Sequence, residues 1–145
     1  MEPLATVMKT SLISVKPLDT ILHARKTAQE HRVNQLLVVQ KGKLLGILTD
    51  RDLRDAFPSV FDDVVHDATG KRSAEWSPDH VRVESVMTRD VRTLPPDASL
   101  ADAARLMRSA RIGAVPVVDK EGHALGIVTR TDVLEAYVRL DERRR

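Results

Sequence analysis

Two segments carry the chemistry this chain can offer: Gly46-Ile-Leu-Thr-Asp-Arg-Asp52 and Gly126-Ile-Val-Thr-Arg-Thr-Asp132. Each reads glycine, two aliphatic residues, threonine, two further residues and aspartate. A glycine at a strand end lets a ligand or a neighbouring backbone come close. Ile47, Leu48, Ile127 and Val128 offer apolar contact to a flat ring such as a purine. Thr49 and Thr129 stand where a helix begins. Their hydroxyls and the first helical N–H groups suit an anion such as phosphate. Asp52 and Asp132 lie one turn further on, where a carboxylate can accept both hydroxyls of a ribose. Arg51 and Arg130 offer positive charge for phosphates, and Thr131 a further hydroxyl. The same spacing has a plainer reading. Thr-x-x-Asp at a helix start is close to a capping box, in which side chain and backbone satisfy each other. Both readings stand on the residues alone.

Other chemistries find little support. With no cysteine there is no disulfide, thiolate metal site or cysteine nucleophile. His23 and His31 are eight apart on one helix, and His66, His80 and His123 are scattered through loops, so no metal site is expected. Gly70-Lys71 is followed by Arg72, and position 65 is Val, which rules out a phosphate-binding P-loop. Neither G-x-S-x-G nor G-x-G-x-x-G occurs. Nothing supplies a convincing nucleophile, base or metal, so the chain is expected not to be an enzyme.

The two segments belong to a longer repeat. Val7-Met8 matches Val86-Met87 at an offset of 79, and the register holds through Pro17/Pro96, Ala24/Ala103, Arg32/Arg111 and Lys41/Lys120. One extra residue in a turn raises the offset to 80, which then pairs Gly42/Gly122, Gly46/Gly126, Thr49/Thr129, Asp52/Asp132 and Ala56/Ala136. In the second copy Leu100, Ala103, Ala104, Met107 and Ala110 recur at helical spacing after Ser99, a predicted N-cap. Val115–Val118 and Ala124–Val128 read as strands around a turn at Asp119–Gly122, and a second helix opens at Thr129. The first copy predicts a helix near 19–31, strands at 36–40 and 44–48, and a helix from about 50. Short extended pieces near 12–15 and 91–94 complete a β-α-β-β-α order. The continuous apolar runs suggest strands covered on both faces. The domain reading is repeat 1 at 1–56, a linker with a short helical insert at 57–85, repeat 2 at 86–140, and a basic tail at 141–145.

Composition sharpens this. Of 145 residues, 42% are hydrophobic but only 3% aromatic, so the core must be aliphatic. Lys and Arg number 23 against 21 Asp and Glu; without Arg143, Arg144 and Arg145 the balance is 20 against 21. The basic character is a tail rather than a face, and a broad nucleic-acid footprint is disfavoured. No apolar run approaches the ~20 residues of a membrane span, and the start lacks a signal-peptide pattern. A soluble, cytoplasmic protein is expected. The aromatics Phe57 and Phe61 lie between the copies, Tyr137 follows the last matched pair Ala56/Ala136, and these three are the expected contacts of a dimer.

The paired Gly-x-x-Thr-x-x-Asp segments, the Val-Met starts and the stretches Arg32-Val-Asn-Gln-Leu-Leu-Val-Val39 and Arg111-Ile-Gly-Ala-Val-Pro-Val-Val118 resemble a tandem pair of CBS domains, a Bateman module. The resemblance covers about 100 of the 145 residues. Asp55-Ala-Phe-Pro-Ser-Val-Phe61 and the ending from Thr129 to Leu140 further resemble the CBS pair of acetoin-utilisation-type proteins. An ACT domain often follows in that group. The sequence stops at Arg145, so a stand-alone pair is expected.

This resemblance implies an α/β (α+β) fold of two β-α-β-β-α repeats packed as a pseudo-twofold pair. It implies a regulatory, energy-sensing module that binds AMP, ADP, ATP or S-adenosylmethionine in two clefts, forms a homodimer and acts on an effector protein. By analogy each cleft is completed by the other copy. Thr49 and Asp52 would work with Thr88, Val91, Ile112, Gly113 and Ala114; Thr129 and Asp132 with Thr10, Leu12, Val33, Asn34 and Gln35. Small Gly113-Ala114 against bulkier Asn34-Gln35 predicts a roomier Thr49/Asp52 cleft. Two alternatives remain: a structural dimerisation module with empty clefts, and a weak nucleic-acid binder acting through the arginine tail.

Overall fold

A computed structural model describes residues 2–57 and 79–145. The insert expected near residues 60–65, Phe61 and Trp76 lie outside the described residues. A short helix α1 (Leu4–Val7) precedes β1 (Ser14–Val15), α2 (Ile21–His31), β2 (Gln35–Gln40), β3 (Lys43–Thr49) and α3 (Asp50–Ala56). A 3-10 turn at Val83–Ser85 leads to α4 (Leu100–Ala110), β4 (Ala114–Val118), β5 (Ala124–Thr129) and α5 (Arg130–Arg144).

Each repeat builds these elements by the same local rules. The Thr20 hydroxyl caps α2 by accepting from the His23 N–H, and the predicted N-cap Ser99 accepts from Asp102 at α4. Both helices end on an arginine in the left-handed region, Arg32 at φ 52° and Arg111 at φ 56°. There the backbone turns out of the helix, and the arginine N–H reaches back to a carbonyl of the last turn. The strand after each turn is buried, with Leu36, Leu37 and Val38 in β2 and Val115, Pro116 and Val117 in β4. This matches the continuous apolar runs. β1 pairs in parallel with β2 in a sheet ordered β1-β2-β3, while β4 and β5 form an antiparallel pair. Every buried core residue among those described is aliphatic.

The chain forms two compact units whose limits differ from those of the sequence repeats. The first unit holds Ile13–Gln40 and Leu45–Arg89; the second holds Met1–Leu12, Lys41–Leu44 and Asp90–Arg145. The segment ahead of each repeat is thus exchanged. Val83 and Met87 join Val15, Ile21, Leu36 and Leu48 in one core, and Leu4 joins Ala103, Met107, Val115 and Val128 in the other. The exchange is tied down by backbone pairing. Ile47 and Thr88 exchange N–H···O=C bonds at 3.0 and 2.8 Å, and Lys9 and Ile127 do so at 2.9 and 3.0 Å.

The basic end of the chain is helical. Residues 141–144 continue α5, with Asp141 and Arg145 paired at 3.3 Å and Arg143 reaching Glu2 at 3.9 Å. Cations at a helix C-terminus complement its dipole, which favours this continuation.

Gly46 and Gly126 sit where the exchanged segments cross. A Cβ on Gly46 would lie 2.8 Å from both Met87 Sδ and the Thr88 carbonyl oxygen; on Gly126 it would lie 2.5 Å from Met8 Sδ and 3.0 Å from the Lys9 carbonyl. Overpacking of this kind typically costs about 1–3 kcal/mol, so both Gly46→Ala and Gly126→Ala should lower the urea midpoint. Met8→Ala should rescue Gly126→Ala in good part, because the tightest contact there is a flexible thioether. Met87→Ala should rescue Gly46→Ala less, because the Thr88 backbone still stands in the way. Equal rescue in the two double-mutant cycles would refute this account.

Candidate functional site

The two strand-to-helix junctions form matching sites, one in each unit. In the first unit Thr49 caps α3. Its hydroxyl accepts from the Asp52 N–H at 3.1 Å, and Asp52 Oδ2 accepts from the Thr49 N–H at 3.0 Å. In the second unit the Thr129 N–H donates to Asp132 Oδ2 at 2.8 Å, and the Asp132 N–H donates to the Thr129 hydroxyl at 3.4 Å. The Thr129 hydroxyl also donates to Asp132 Oδ2 at 3.0 Å. The capping-box reading is therefore correct for both.

Capping does not exhaust either carboxylate. An ionised carboxylate has about four acceptor positions, and the cap occupies Oδ2 alone. Oδ1 of Asp52 has only the Thr88 hydroxyl at 3.4 Å, while that hydroxyl lies nearer Oδ2, at 3.1 Å. Oδ1 of Asp132 faces the Lys9 ammonium at 3.6 Å. Each aspartate keeps an oxygen able to accept from a diol. Asp132 is buried, at 6% exposure, whereas Asp52 is half-buried.

The helix N–H groups are less available than expected. The Asp50 N–H donates to the Asn34 carbonyl at 2.7 Å, and the Arg130 N–H to the Gly113 carbonyl at 3.1 Å. The threonine caps take the third amide. Among the described residues, only the second amide, of Arg51 and of Thr131, is without a protein acceptor.

These contacts also revise how the residues group. Thr88 meets Asp52, as expected. Asn34, however, adjoins the start of α3, and Gly113 the start of α5, each in its own copy. The Arg130 guanidinium lies over Gly113, about 3.5 Å from where a Cβ would be. Each strand lead thus closes on the helix of its own hairpin, because the two are joined by a tight turn. Ile47 is buried and Ile127 half-buried; Arg51, Arg130, Thr131, Thr10, Asn34, Thr88 and Gly113 are exposed; Leu12, Val33, Gln35, Val91, Ile112 and Ala114 are intermediate. Sequence reasoning missed Lys9, although the offset of 79 places it at the position of Thr88.

A further group of possible metal ligands, Asp119, Glu121 and His123, meets at the β4–β5 turn with ligand atoms within 4.8 Å. The turn already uses Asp119: Oδ1 accepts from the Glu121 and His123 N–H groups at 3.0 and 2.8 Å, and Oδ2 pairs with His123 Nδ1 at 3.0 Å. Burial pushes the Asp119 carboxyl up, but the His123 backbone and ring and the Glu121 N–H together outweigh it and hold it below the usual range. At the α4 cap the Ser99 N–H and then its hydroxyl likewise hold Asp102 low.

A family model for the CBS domain matches residues 4–59 and 83–139. The chain belongs to the CBS domain family. It is 35% identical over 139 residues to a CBS domain-containing protein of Dictyostelium discoideum, covering 94% of this chain and 91% of that one. Among solved structures it resembles the CBS domain pair of protein MJ0100 in complex with 5′-methylthioadenosine and S-adenosyl-L-methionine. That match has a TM-score of 0.74 and 28% identity, and covers 94% of this chain and 96% of that one. A putative acetoin utilization protein from Vibrio cholerae shares the fold, with a TM-score of 0.77 and 24% identity over 98% of this chain and 94% of that one. This CBS pair therefore has the expected mixed α/β fold with small sheets. No helix among the described residues is long and apolar enough to cross a membrane.

The two partners of Asp132 should separate in stability measurements. Thr129→Ala removes the N-cap while leaving Asp132 and Lys9 in place, and should cost about 1–2 kcal/mol. Lys9→Ala removes an ion pair whose lysine is 60% exposed, and should cost less than about 1 kcal/mol. Urea unfolding of both variants checks this; equal losses would show that the ion pair, not the cap, holds the junction.

Proposed function

We propose that this chain is a non-enzymatic regulatory module that binds adenosine ligands at the Thr49/Asp52 and Thr129/Asp132 sites. The observation that carries the reading is the Oδ1 of each aspartate, left out of the capping box with only Thr88 or Lys9 against it, beside an exposed helix start. A ribose diol suits that oxygen, and the unpaired Arg51 and Thr131 amides suit a phosphate. Ile47 and Ile127 supply apolar contact for the adenine. The likeness to a CBS pair holding two adenosine compounds supports the ligand class. The ligand is AMP, ADP, ATP or S-adenosylmethionine, and two chains work as a homodimer in the cytoplasm. Binding acts on an effector protein by favouring one arrangement over another, which requires the ligand to prefer that arrangement.

The completed capping boxes favour one other reading, a structural dimerisation module whose threonines and aspartates serve the fold alone. That reading expects no thermal shift with any nucleotide.

Calorimetry with the four ligands decides between them. Loss of two hydrogen bonds to a charged group should weaken binding about 10- to 100-fold at the altered site in Asp52→Ala or Asp132→Ala. Thermal melting of each variant, and of the conservative Asp→Asn forms, controls for the lost cap. No binding of any of the four, or unchanged binding in both variants, would overturn the proposal.

A further inference from the structure

Each repeat holds a second cavity, between its two longer helices and apart from the junction of threonine and aspartate. In the first unit α2 and α3 border a cavity of about 630 Å³. In the second, α4 and α5 border one of about 420 Å³. Neither Thr49 nor Asp52 lines the first, and neither Thr129 nor Asp132 lines the second. The walls correspond through the repeat: Ala28 with Met107, Arg32 with Arg111, Leu53 with Val133. Ala28, standing where the second copy has Met107, leaves the first cavity the larger. Its volume suits a small molecule.

Arginines gather there. Arg25, Arg32 and Arg54 line the first cavity. Arg54 is engaged by Asp50, the one acidic residue of the wall, at 3.3 Å. Neither Arg25 nor Arg32 has an acidic partner among the described residues. Both are nonetheless held in place. The Arg25 guanidinium lies over the Phe57 ring, 4.8 Å from its centroid. Cation–π attraction orients a guanidinium without using its N–H donors on an acceptor. Arg32 stands at φ 52°, with its N–H tied to the Ala28 and Gln29 carbonyls. Glycine takes that conformation at lower cost. The second copy again places an arginine there, Arg111, and it too lines a cavity. A strained backbone kept twice beside a cavity is the mark of a side chain in use. The α2 dipole accounts for a cation at the end of that helix. It does not account for Arg25 in its first half, or for Arg54 on another helix.

The remaining wall says what the arginines would hold. A guanidinium fork takes a carboxylate or phosphate through two parallel N–H···O bonds. Beside the arginines, Val33, Leu53 and Phe57 offer apolar surface for a carbon body. Gln29 and Asn34 add two side-chain amides, where the second copy has Arg108 and Gly113. The first cavity therefore combines charge, amides and an apolar wall, and is the more specific of the two.

We propose that the α2–α3 cavity binds a small organic anion, its carboxylate or phosphate held by Arg25 and Arg32 and its apolar body against Val33 and Leu53. This site is separate from the adenosine sites and does not rest on them. NMR titration of the full chain with phenyl phosphate, benzoate and inorganic phosphate tests it. The first two share a ring and differ in the anion; the third is an anion without a body. Phenyl phosphate or benzoate should bind with millimolar or tighter affinity, the tighter one naming the anion, and inorganic phosphate about 10-fold more weakly or worse. Arg25→Ala should weaken the organic anion about 10-fold or more, as loss of a charge-assisted hydrogen-bonded pair does. Phe57→Leu keeps an apolar wall but removes the ring that orients Arg25, and should weaken binding about 2- to 5-fold. Lys26→Ala makes the same change of charge outside the cavity and should leave binding unchanged. Circular dichroism should show all three variants folded. Added adenosine should not displace the anion. Equal weakening by Lys26→Ala and Arg25→Ala, or inorganic phosphate binding as tightly as the organic anions, would show general positive charge and overturn the proposal. Displacement by adenosine would assign the anion to the Asp52 site and overturn it too. So would a failure of all three anions to bind, which leaves the adenosine reading untouched.

Discussion

The geometry of both sites depends on one short closure, in which a threonine and the aspartate three residues on bind each other's backbone. Each box satisfies two N–H groups that a helix start otherwise leaves open. Its worth is about 1 kcal/mol, small against a domain's packing. Its structural effect is larger than its energy. It sets the residue at which β3 or β5 stops and α3 or α5 begins, and so sets where the carboxylate points. Using Oδ2 for the cap turns Oδ1 outward from the backbone. One side chain can thereby close the helix start and still present an oxygen, so the capping reading of Thr-x-x-Asp does not exclude the binding one.

The second constraint is the crossing of an exchanged segment over a glycine. Met87 and Thr88 lie on Gly46, and Met8 and Lys9 on Gly126, too close for any Cβ without displacement. The backbone pairing at each crossing places the residue after the methionine beside the aspartate. Thr88 and Lys9 therefore belong to the sites because of glycines several residues away from the aspartates. The methionines at equivalent positions are packing residues, and their flexible thioethers fill the irregular space at the crossing.

What could be read from the sequence follows the range of the interactions. Strands, helices and caps depend on residues within one or two turns, and β2, β4, α2, α4 and the Ser99 cap lie where periodicity placed them. The Thr-x-x-Asp segments were visible for the same reason. Exchange of the leading segments was not, because it joins Val83 and Met87 to Val15 and Leu36 across distant parts of the chain, and nothing in the local pattern encodes that choice. The left-handed Arg32 and Arg111 were hidden too, since arginine carries no signal for positive φ. Lys9 was overlooked for a different reason. The repeat pointed to it, but a neighbouring threonine looked chemically closer to Thr88.

That substitution of Lys9 for Thr88 makes the two sites electrostatically unlike. Asp52 has no ion pair among the described residues, and neighbouring Asp50 is engaged with Arg54 at 3.3 Å. The hydroxyl of Thr88 satisfies Asp52 without neutralising it. Asp132 instead has the Lys9 ammonium at 3.6 Å. Desolvating a carboxylate is costly unless a cation compensates, which accounts for Asp132 being buried while Asp52 stays half-open. The size difference between Gly113-Ala114 and Asn34-Gln35 drew attention from sequence, yet the larger physical difference between the sites is one of charge, because an ammonium acts on a carboxylate over a longer range than a methylene of room acts on packing.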